Sequence, residues 1–249
     1  IRDSHHGLHQ FGPGSLCHDV LNAAADYGLV PDFAFTGLDA GELVYDHGEL
    51  DAVLSAAVKA MSKQKVLSDD WRDAVDGICD AYLGKLPSSF QYNGKTYTPG
   101  SFRDYLGINP SEYVSLTSFS HHSFGETFVL EVPDNFSRGQ FLNLPIEDLT
   151  RVVRKALMDG YTVAWDADVS EKGFSFRNGM ALLPAVEEEA MMFKEVIEEA
   201  KVSQASRQEG FENHTTTDDH LMHIVGLAID QKGSEYFVIK NSWGQDNLY

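Results

Sequence analysis

Two apolar runs near the end of the sequence constrain the fold most strongly. Residues Met222–Ile229 and Tyr236–Asn241 are rich in β-branched and aromatic side chains, and the polar segment Asp230–Ser234 separates them. This pattern predicts two antiparallel strands joined by a turn. His223 lies in the first run, and Asn241 ends the second run 18 residues later. If the strands pair, both side chains reach the same end of the sheet.

The pair His223 and Asn241 suits acid–base chemistry. A neutral imidazole has one N–H donor and one acceptor nitrogen. An amide oxygen that accepts from the N–H leaves the other nitrogen free to act as a base. The spacing fits equally a core histidine and an asparagine that ends a strand, so spacing alone leaves both interpretations open.

The rest of the sequence predicts helices first and strands later, which indicates the α+β class with a helical part and a sheet or barrel part. Helical spacing, caps and glycine stops predict helices over Ser15–Tyr27, Glu49–Met61, Ser68–Leu83, Ser101–Leu106, Pro145–Met158 and Glu187–Ser203. An Asn-Gly hairpin is expected at Gln91–Tyr97, and further strands at Tyr113–Thr117, Thr127–Val132 and Thr162–Ala167. A crevice between two such parts is the default binding site.

Composition excludes some classes of function. The net charge of −19 opposes binding to a phosphate backbone, so no nucleic-acid partner is expected. No apolar run is long enough to span a membrane, so no membrane partner is expected either. The first residue is Ile1 and no signal-like segment is visible. We therefore expect a processed, truncated or partial polypeptide.

Several motifs resemble one peptidase family. The run Asn241-Ser242-Trp243-Gly244, preceded by a strand and by a histidine at a suitable distance, is similar to the asparagine block of papain-like cysteine peptidases. Further runs resemble the bleomycin hydrolase and aminopeptidase C family, and together they cover nearly the whole chain: Asp26–Pro31, Asp80–Gly84, Tyr113–Thr117, Asn143–Leu149 and Gly160–Trp165.

The resemblance implies a papain-like two-lobed α+β fold with a large helical insertion. Residues 1–36 would belong to the helical lobe and residues 37–112 to the insertion. Residues 113–249 would form the β-barrel-like lobe that carries the histidine and the asparagine. In this family the polypeptide continues through further barrel strands, so the lobe is expected to be truncated.

The resemblance also implies roles for individual residues. His223 would be the general base, Asn241 would orient its ring, and Trp243 would pack over the pair. A substrate-binding turn is expected at Gly14 and Ser15, where the family has two glycines. Backbone pairing with substrate survives there only if Ser15 does not need a positive φ. Two neighbours of the base, Met222 and Ile224, would line the substrate cleft.

The family's nucleophilic cysteine has no clear counterpart in this sequence. Cys17 follows Gln10, as the nucleophile follows a glutamine in papain-like enzymes, but the family's Gly-x-Cys-Trp motif is missing around it. Alignment through Tyr27-Gly28 places Cys17 on the substrate-side wall. Cys79 fits a small buried residue of a helix. We therefore expect the thiolate of a Cys-His-Asn site to come from a segment outside these 249 residues.

Neither a metal nor a cofactor is expected. The histidines at positions 5, 6 and 9, the pair His121-His122, and His220 with His223 each suggest possible ligands. However, His-x-x-His on a strand sends its side chains to opposite faces, and the sequence indicates no third ligand.

By resemblance, the expected function is that of a cysteine aminopeptidase that removes N-terminal residues from peptide substrates. The family commonly forms homohexamers, and a cytoplasmic location is implied, with a periplasmic or secreted one left open. The alternative is a non-catalytic papain-like binding or scaffold module that has lost its nucleophile.

Overall fold

The computed structural model describes residues 11–38, 41–185 and 191–244. The chain divides into two compact units. Unit 1 comprises Ile1–Gly14 and Leu21–Pro110, and unit 2 comprises Ser15–Val20 and Ser111–Tyr249. The subdivision of the first 112 residues into a lobe segment and an insertion stays a prediction. No described helix is both long and apolar enough to cross a membrane.

Unit 1 is mainly helical. Its elements are most of α1 (Cys17–Tyr27), which begins in unit 2, then α2 (Gly48–Ser62), α3 (Asp70–Leu83), the hairpin of β1 (Phe90–Tyr92) and β2 (Lys95–Tyr97), and α4 (Pro99–Leu106). The predicted hairpin is confirmed: Asn93 and Gly94, which connect the strands, have φ values of 48° and 75°. Both values match a type I′ turn.

A tight approach between two parts of unit 1 requires glycine at position 28. Gly28 has a φ of 84°, and a Cβ built there would lie 2.2 Å from the carbonyl carbon of Pro99. Leu29 donates its backbone N–H to the Pro99 oxygen at 3.0 Å. The glycine that ends α1 therefore also lets this helix end lie against the start of α4.

Unit 2 contains three small sheets and two helices. One sheet has the strand order β10–β9–β6, all antiparallel, and a second has the order β3–β5–β4, in which β3 and β5 are parallel. The elements in the described residues are β3 (Leu116–Thr117), β4 (Thr127–Val129), β5 (Gln140–Asn143), α5 (Ile146–Met158), β6 (Val163–Ala167), β7 (Phe174–Ser175), β8 (Met180–Ala181), α6 (Gln204–Glu212), β9 (His220–Ile229) and β10 (Glu235–Lys240), and a 3₁₀ turn at Pro110–Glu112 precedes them. Among the described strands, the sheets are open and do not close into a barrel.

One predicted helix is wrong. Residues 186–190 lie outside the described residues, and residues 191–203 contain no α-helix. This stretch bonds instead to the segment after β8: Ala200 donates its N–H to the Leu183 oxygen at 2.7 Å, and Ala185 donates to the Glu198 oxygen at 3.0 Å. Together with the antiparallel bridge between Pro184 and Glu199, these bonds hold the later part of the segment extended. The helix begins later, at Gln204, where Ser203 and Ser206 form a capping box.

Asn143, at the end of β5, organises the core of unit 2. Its side chain is fully buried. Its Oδ1 accepts from the Phe119 N–H at 2.9 Å, and its Nδ2 donates to the oxygens of Phe119, His122 and Ser123 at 2.8, 2.9 and 3.2 Å. One amide therefore satisfies the backbone polar groups of the loop 118–123, which would otherwise be buried without partners.

Replacing Asn143 by alanine is expected to destabilise unit 2 strongly. The substitution leaves several buried backbone groups unpaired, which costs about 3 kcal/mol and lowers the melting temperature by roughly 6–12 °C in a chain of this size. Thermal unfolding followed by circular dichroism measures the change. The matched control is Asn213→Ala, because Asn213 is exposed and its Oδ1 accepts only from nearby Thr215. Equal melting temperatures for the two variants would contradict this account of the core.

Candidate active site

The sheet β10–β9–β6 positions the candidate catalytic side chains. His220 is the first residue of β9 and lies opposite Ala167 of β6. Asn241 directly follows β10, whose last residue, Lys240, pairs with His223. The hairpin of β9 and β10 therefore brings the start of one strand beside the end of the other, as the sequence pattern predicted.

The imidazole that Asn241 contacts is that of His220. Its Nε2 lies 2.8 Å from Asn241 Oδ1. The Ser242 backbone N–H donates to the same oxygen at 2.7 Å, which fixes which end of the amide is the oxygen. Since this oxygen can only accept, Nε2 of the neutral ring carries the proton and Nδ1 is the basic nitrogen.

An aromatic group covers this hydrogen bond. The ring centroids of His220 and Trp243 lie 4.5 Å apart, with an angle of 30° between the planes. Phe174 and Phe176 each meet Trp243 edge to face, with centroid distances of 5.8 Å. Trp243 was predicted to pack over the histidine–asparagine pair, and it packs on the ring of His220.

The predicted contact between His223 and Asn241 is wrong. The His223 side chain is exposed, and its Nε2 lies 2.8 Å from Thr162 Oγ1. Side chains alternate along a strand, so residues 220 and 223 project from opposite faces of β9. This alternation is visible in the sequence and could have identified His220. His220 lies two residues before Met222 and four before Ile224, so all three side chains project from the same face of the strand, whereas His223 projects from the other face.

Two predicted cleft residues are core residues. Met222 and Ile224 are each 5% exposed. Both lie on the face of β9 that also carries His220, and they stabilise the sheet by burying apolar surface. Their predicted role in lining the substrate cleft is therefore corrected, since a side chain so deeply buried offers a ligand almost no surface.

The predicted substrate-binding turn at Gly14 and Ser15 has backbone angles that both residues can adopt without strain. Gly14 has a φ of 116°, a value that favours glycine, whereas Ser15 is not among the residues with positive φ. Ser15 Oγ donates to Asp19 Oδ2 at 2.7 Å within the first turn of α1. The serine at the second position is thus compatible with the turn. Gln10, noted for its place before Cys17, lies outside the described residues.

The environment of Cys17 opposes a nucleophilic role. Burial raises the pKa of the Cys17 thiol, and the negative charge of Asp166 raises this pKa further. A nucleophilic cysteine needs the opposite, namely a positive neighbour that lowers its pKa. Cys79 is half-buried in α3 of unit 1. Cys17 therefore lacks the surroundings of an activated thiolate.

Asp166 belongs to an acidic group that the sequence did not reveal. Burial raises the pKa of Asp166 to about 6, and the charges of Asp218, Asp134 and Asp219 add to the effect. The pKa of Asp218 is also raised, mainly by burial. Asp166 lies on β6 opposite Leu221, one position from the pairing of Ala167 with His220. A carboxyl group that is partly buried among other carboxylates has a raised pKa, so it keeps its proton to a higher pH.

A separate cluster could hold a metal ion. One nitrogen of His121, one of His122 and a carboxylate oxygen of Glu131 all lie within 4.8 Å of one another. The sequence showed the two histidines but not the third ligand, because Glu131 approaches them only through the packing of unit 2.

Removing the charge of Asp166 is expected to make Cys17 more reactive. In Asp166→Asn the thiol pKa falls, and alkylation by iodoacetamide at about pH 8 accelerates by roughly threefold. Peptide mapping by mass spectrometry measures the rate, with Cys79 as the reference thiol in the same digest. Asp168→Asn is the matched control, because Asp168 does not act on Cys17. An unchanged rate in Asp166→Asn would contradict the assigned contact.

The same variant is expected to gain stability in a pH-dependent way. The folded-state pKa of Asp166, about 6, exceeds its ordinary value of 3.8. The charged form therefore destabilises the fold above about pH 6, and this penalty disappears as the pH falls from 6 toward 3.8. After solvent screening the gain is about 1 kcal/mol, a rise in melting temperature of roughly 2–4 °C at alkaline pH.

The matched control, Asp168→Asn, is expected to change the stability in the opposite direction. Burial disfavours the charge of Asp168, but hydrogen bonds from Ser170 and Thr217 outweigh it and lower the pKa of the carboxyl. This stabilisation is present above the ordinary pKa and is lost as the pH falls below it. Asp168→Asn should therefore lower the melting temperature at neutral pH. A gain from Asp166→Asn that stayed the same at every pH would disprove the electrostatic cause.

Comparisons with known proteins show the family of this chain and its fold. The model of the peptidase C1-like family matches residues 88–248, more than half of the chain. No curated protein sequence matches. Among solved structures, PepW from Lactobacillus rhamnosis HN001 is similar, with a TM-score of 0.68, 18% sequence identity, and coverage of 94% of this chain.

The PepW match shows the fold alone at this identity, and the chain spans 57% of the PepW chain. The resemblance to papain-like peptidases of the bleomycin hydrolase and aminopeptidase C type, predicted from the motifs, is confirmed. The chain belongs to the peptidase C1-like family.

Proposed function

We propose that this chain carries the general base of a cysteine peptidase, and that the base is His220. The observation that carries the proposal is the 2.8 Å hydrogen bond between His220 Nε2 and Asn241 Oδ1. A carboxamide holds the ring and leaves Nδ1 free for proton transfer. Among the described residues, the partner of His223 Nε2 is the hydroxyl of Thr162. His223 was the predicted base, but this contact does not give it the carboxamide that His220 has.

The proposed reaction is acyl transfer through a thioester. A thiolate paired with protonated His220 attacks the peptide carbonyl carbon, forming a C–S bond and an oxyanion. The oxyanion collapses, the C–N bond breaks, and His220 gives its Nδ1 proton to the leaving amine. His220 then takes a proton from water as the water attacks the thioester, and the thiolate leaves with the ion pair restored.

Asn241 and Trp243 support this cycle without touching the reacting atoms. Asn241 fixes the ring so that Nδ1, rather than Nε2, meets the thiolate. The Trp243 ring keeps water away from the hydrogen bond, which strengthens that bond because the surroundings are less polar. Trp243 is 41% exposed, so it also has a free face beside the site.

The thiolate is proposed to come from a polypeptide segment outside these 249 residues. The raised thiol pKa of Cys17 supports this placement, because a thiol beside a carboxylate is poorly ionised at neutral pH. The family resemblance supports three finer proposals: release of N-terminal residues from peptides, assembly into a homohexamer and a cytoplasmic location. The substrate-binding turn at Gly14 and Ser15 belongs to the same proposal.

A second candidate function is a non-catalytic peptide-binding module. The observation that favours it is the environment of Cys17, because burial and the charge of Asp166 raise the pKa of its thiol and disfavour the thiolate. Intact mass and amino-terminal sequencing of the protein from its natural source distinguish the two candidates. Labelling of an additional cysteine by a thiol-directed epoxide supports the peptidase. A mass equal to this sequence alone, without labelling or hydrolysis, supports the module.

Substitutions in the natural full-length polypeptide test the assignment of the base. His220→Ala is expected to lower kcat/KM for an aminoacyl-amide substrate by at least about 10³-fold, because the proton-transfer group is lost. Asn241→Ala removes only orientation and should cost roughly 10- to 100-fold. The matched control is His223→Ala, which removes an exposed imidazole from the same strand and should stay within about twofold.

The result that would contradict the assignment is a loss of activity in His223→Ala as large as that in His220→Ala. Circular dichroism of all three variants shows whether they fold alike. Because Asn241 acts through His220, the double variant His220→Ala with Asn241→Ala should be no less active than His220→Ala alone.

A further inference from the structure

A small cluster of imidazoles and a carboxylate lies in unit 2 outside the candidate active site. His121 and His122 belong to the loop between β3 and β4, and Glu131 follows the end of β4. His122 Nε2 lies 2.7 Å from Glu131 Oε1, and His121 Nε2 lies 3.4 Å from Glu131 Oε2. Each oxygen of one carboxylate thus faces a different ring.

The loop that carries these histidines is held in place from several sides. Asn143 donates to the His122 oxygen at 2.9 Å, and Gln208 Oε1 accepts from the Ser120 N–H at 2.7 Å. The ring of His122 stacks on Phe128 at a centroid distance of 4.0 Å, and His121 stacks on Phe211 at 5.4 Å. The two imidazoles are therefore pre-positioned rather than free to rotate, as a metal site requires.

We propose that His121, His122 and Glu131 bind a divalent transition-metal ion, of which Zn²⁺ is the natural candidate. Two imidazole nitrogens and a carboxylate oxygen form a donor set that suits Zn²⁺, Co²⁺ or Ni²⁺, whereas Mg²⁺ and Ca²⁺ prefer oxygen alone. A water molecule would take the fourth position. The site is independent of the proposed catalysis and would tie the loop 118–123 to the end of β4.

The three ligand atoms lie within 4.8 Å of one another and reach metal-binding separations after adjustment. Bonds of about 2.0–2.2 Å in a tetrahedral site separate neighbouring ligand atoms by roughly 3.3 Å. The pair His121 Nε2 and Glu131 Oε2, at 3.4 Å, already has this separation. The pair His122 Nε2 and Glu131 Oε1 starts at 2.7 Å and must open slightly.

Gln208 sets the strength of the site. Its Oε1 is used by Ser120, so its Nε2 donates to His121 Nδ1 and to Glu212 Oε1, at 2.9 Å each. This arrangement places the His121 proton on Nε2, the atom that must bind the metal. The proton must move to Nδ1 and the Gln208 amide must turn, at the cost of its hydrogen bonds with Ser120 and Glu212. His122 Nε2 also carries a proton, because it lies 2.7 Å from a carboxylate oxygen. The ion therefore competes with the Nε2 protons of both rings and with two hydrogen bonds of Gln208.

Cobalt titration of the chelator-treated 249-residue chain tests the proposal. We expect one equivalent of Co²⁺ to bind with visible d–d absorption, to be displaced by Zn²⁺, and to raise the melting temperature. His122→Ala and Glu131→Gln should each weaken binding by at least about 100-fold. Gln208→Glu combined with Glu212→Gln should strengthen it by about tenfold, because the new carboxylate accepts from Ser120 N–H and His121 Nδ1–H while the amide at position 212 donates to it in place of a repelling carboxylate.

Two controls keep the test specific. His214→Asn removes an exposed histidine at a φ of 58°, which asparagine tolerates, and should leave binding unchanged. A variant with alanine at positions 5, 6 and 9 removes the other histidine-rich set of the sequence and should also bind normally. The proposal is overturned if no saturable Co²⁺ signal develops, or if binding persists in folded His122→Ala and Glu131→Gln.

Discussion

The hydrogen bond from the His220 ring to Asn241 Oδ1 is the interaction on which the functional account depends. A histidine can act as a base through either nitrogen, and its tautomer decides which one is available. Here the Asn241 amide determines the tautomer of His220, and the Ser242 N–H fixes the orientation of that amide. The Trp243 ring lies over the imidazole and protects the bond from competing water. Local backbone geometry thus determines the chemistry of a side chain on the neighbouring strand.

The same reliance on a single carboxamide recurs in the core of unit 2. Asn143 satisfies several backbone groups of the loop 118–123 and thereby fixes the two histidines of the proposed metal site. In both places regular secondary structure ends, and an asparagine side chain forms the hydrogen bonds that backbone groups form within a helix or a sheet. The surroundings of Cys17 and Asp166 show the converse effect, because burial and nearby negative charge suppress the ionisation of both groups.

Much of the architecture was predictable from local sequence. The Asn-Gly hairpin, the capped helices and the β9–β10 hairpin follow from turn residues, caps and apolar spacing, all of which act over a few residues. The partner of Asn241 differs from the predicted one because β9 begins at His220, two residues before the predicted start of the strand at Met222. The register also shifts between Val238 and Ile239, and no local pattern in the sequence encodes such a bulge.

The features that were missed depend on contacts between residues distant in sequence. Bonds from Ala185 and Ala200 hold the later part of the segment expected to be a helix in an extended form, which overrides its helical pattern. Glu131 joins the histidine pair, and Asp166 faces Cys17, only after the sheets have packed. Family motifs located the asparagine block, but they could not decide between two histidines three positions apart.

Two-bond ¹⁵N–¹H correlation spectra of the imidazole rings test the central claim most directly. The account predicts that neutral His220 carries its proton on Nε2, and that Asn241→Ala converts it to a mixture of tautomers while His223 stays unchanged. A His220 ring protonated on Nδ1, or a response of His223 to Asn241→Ala, would contradict the account.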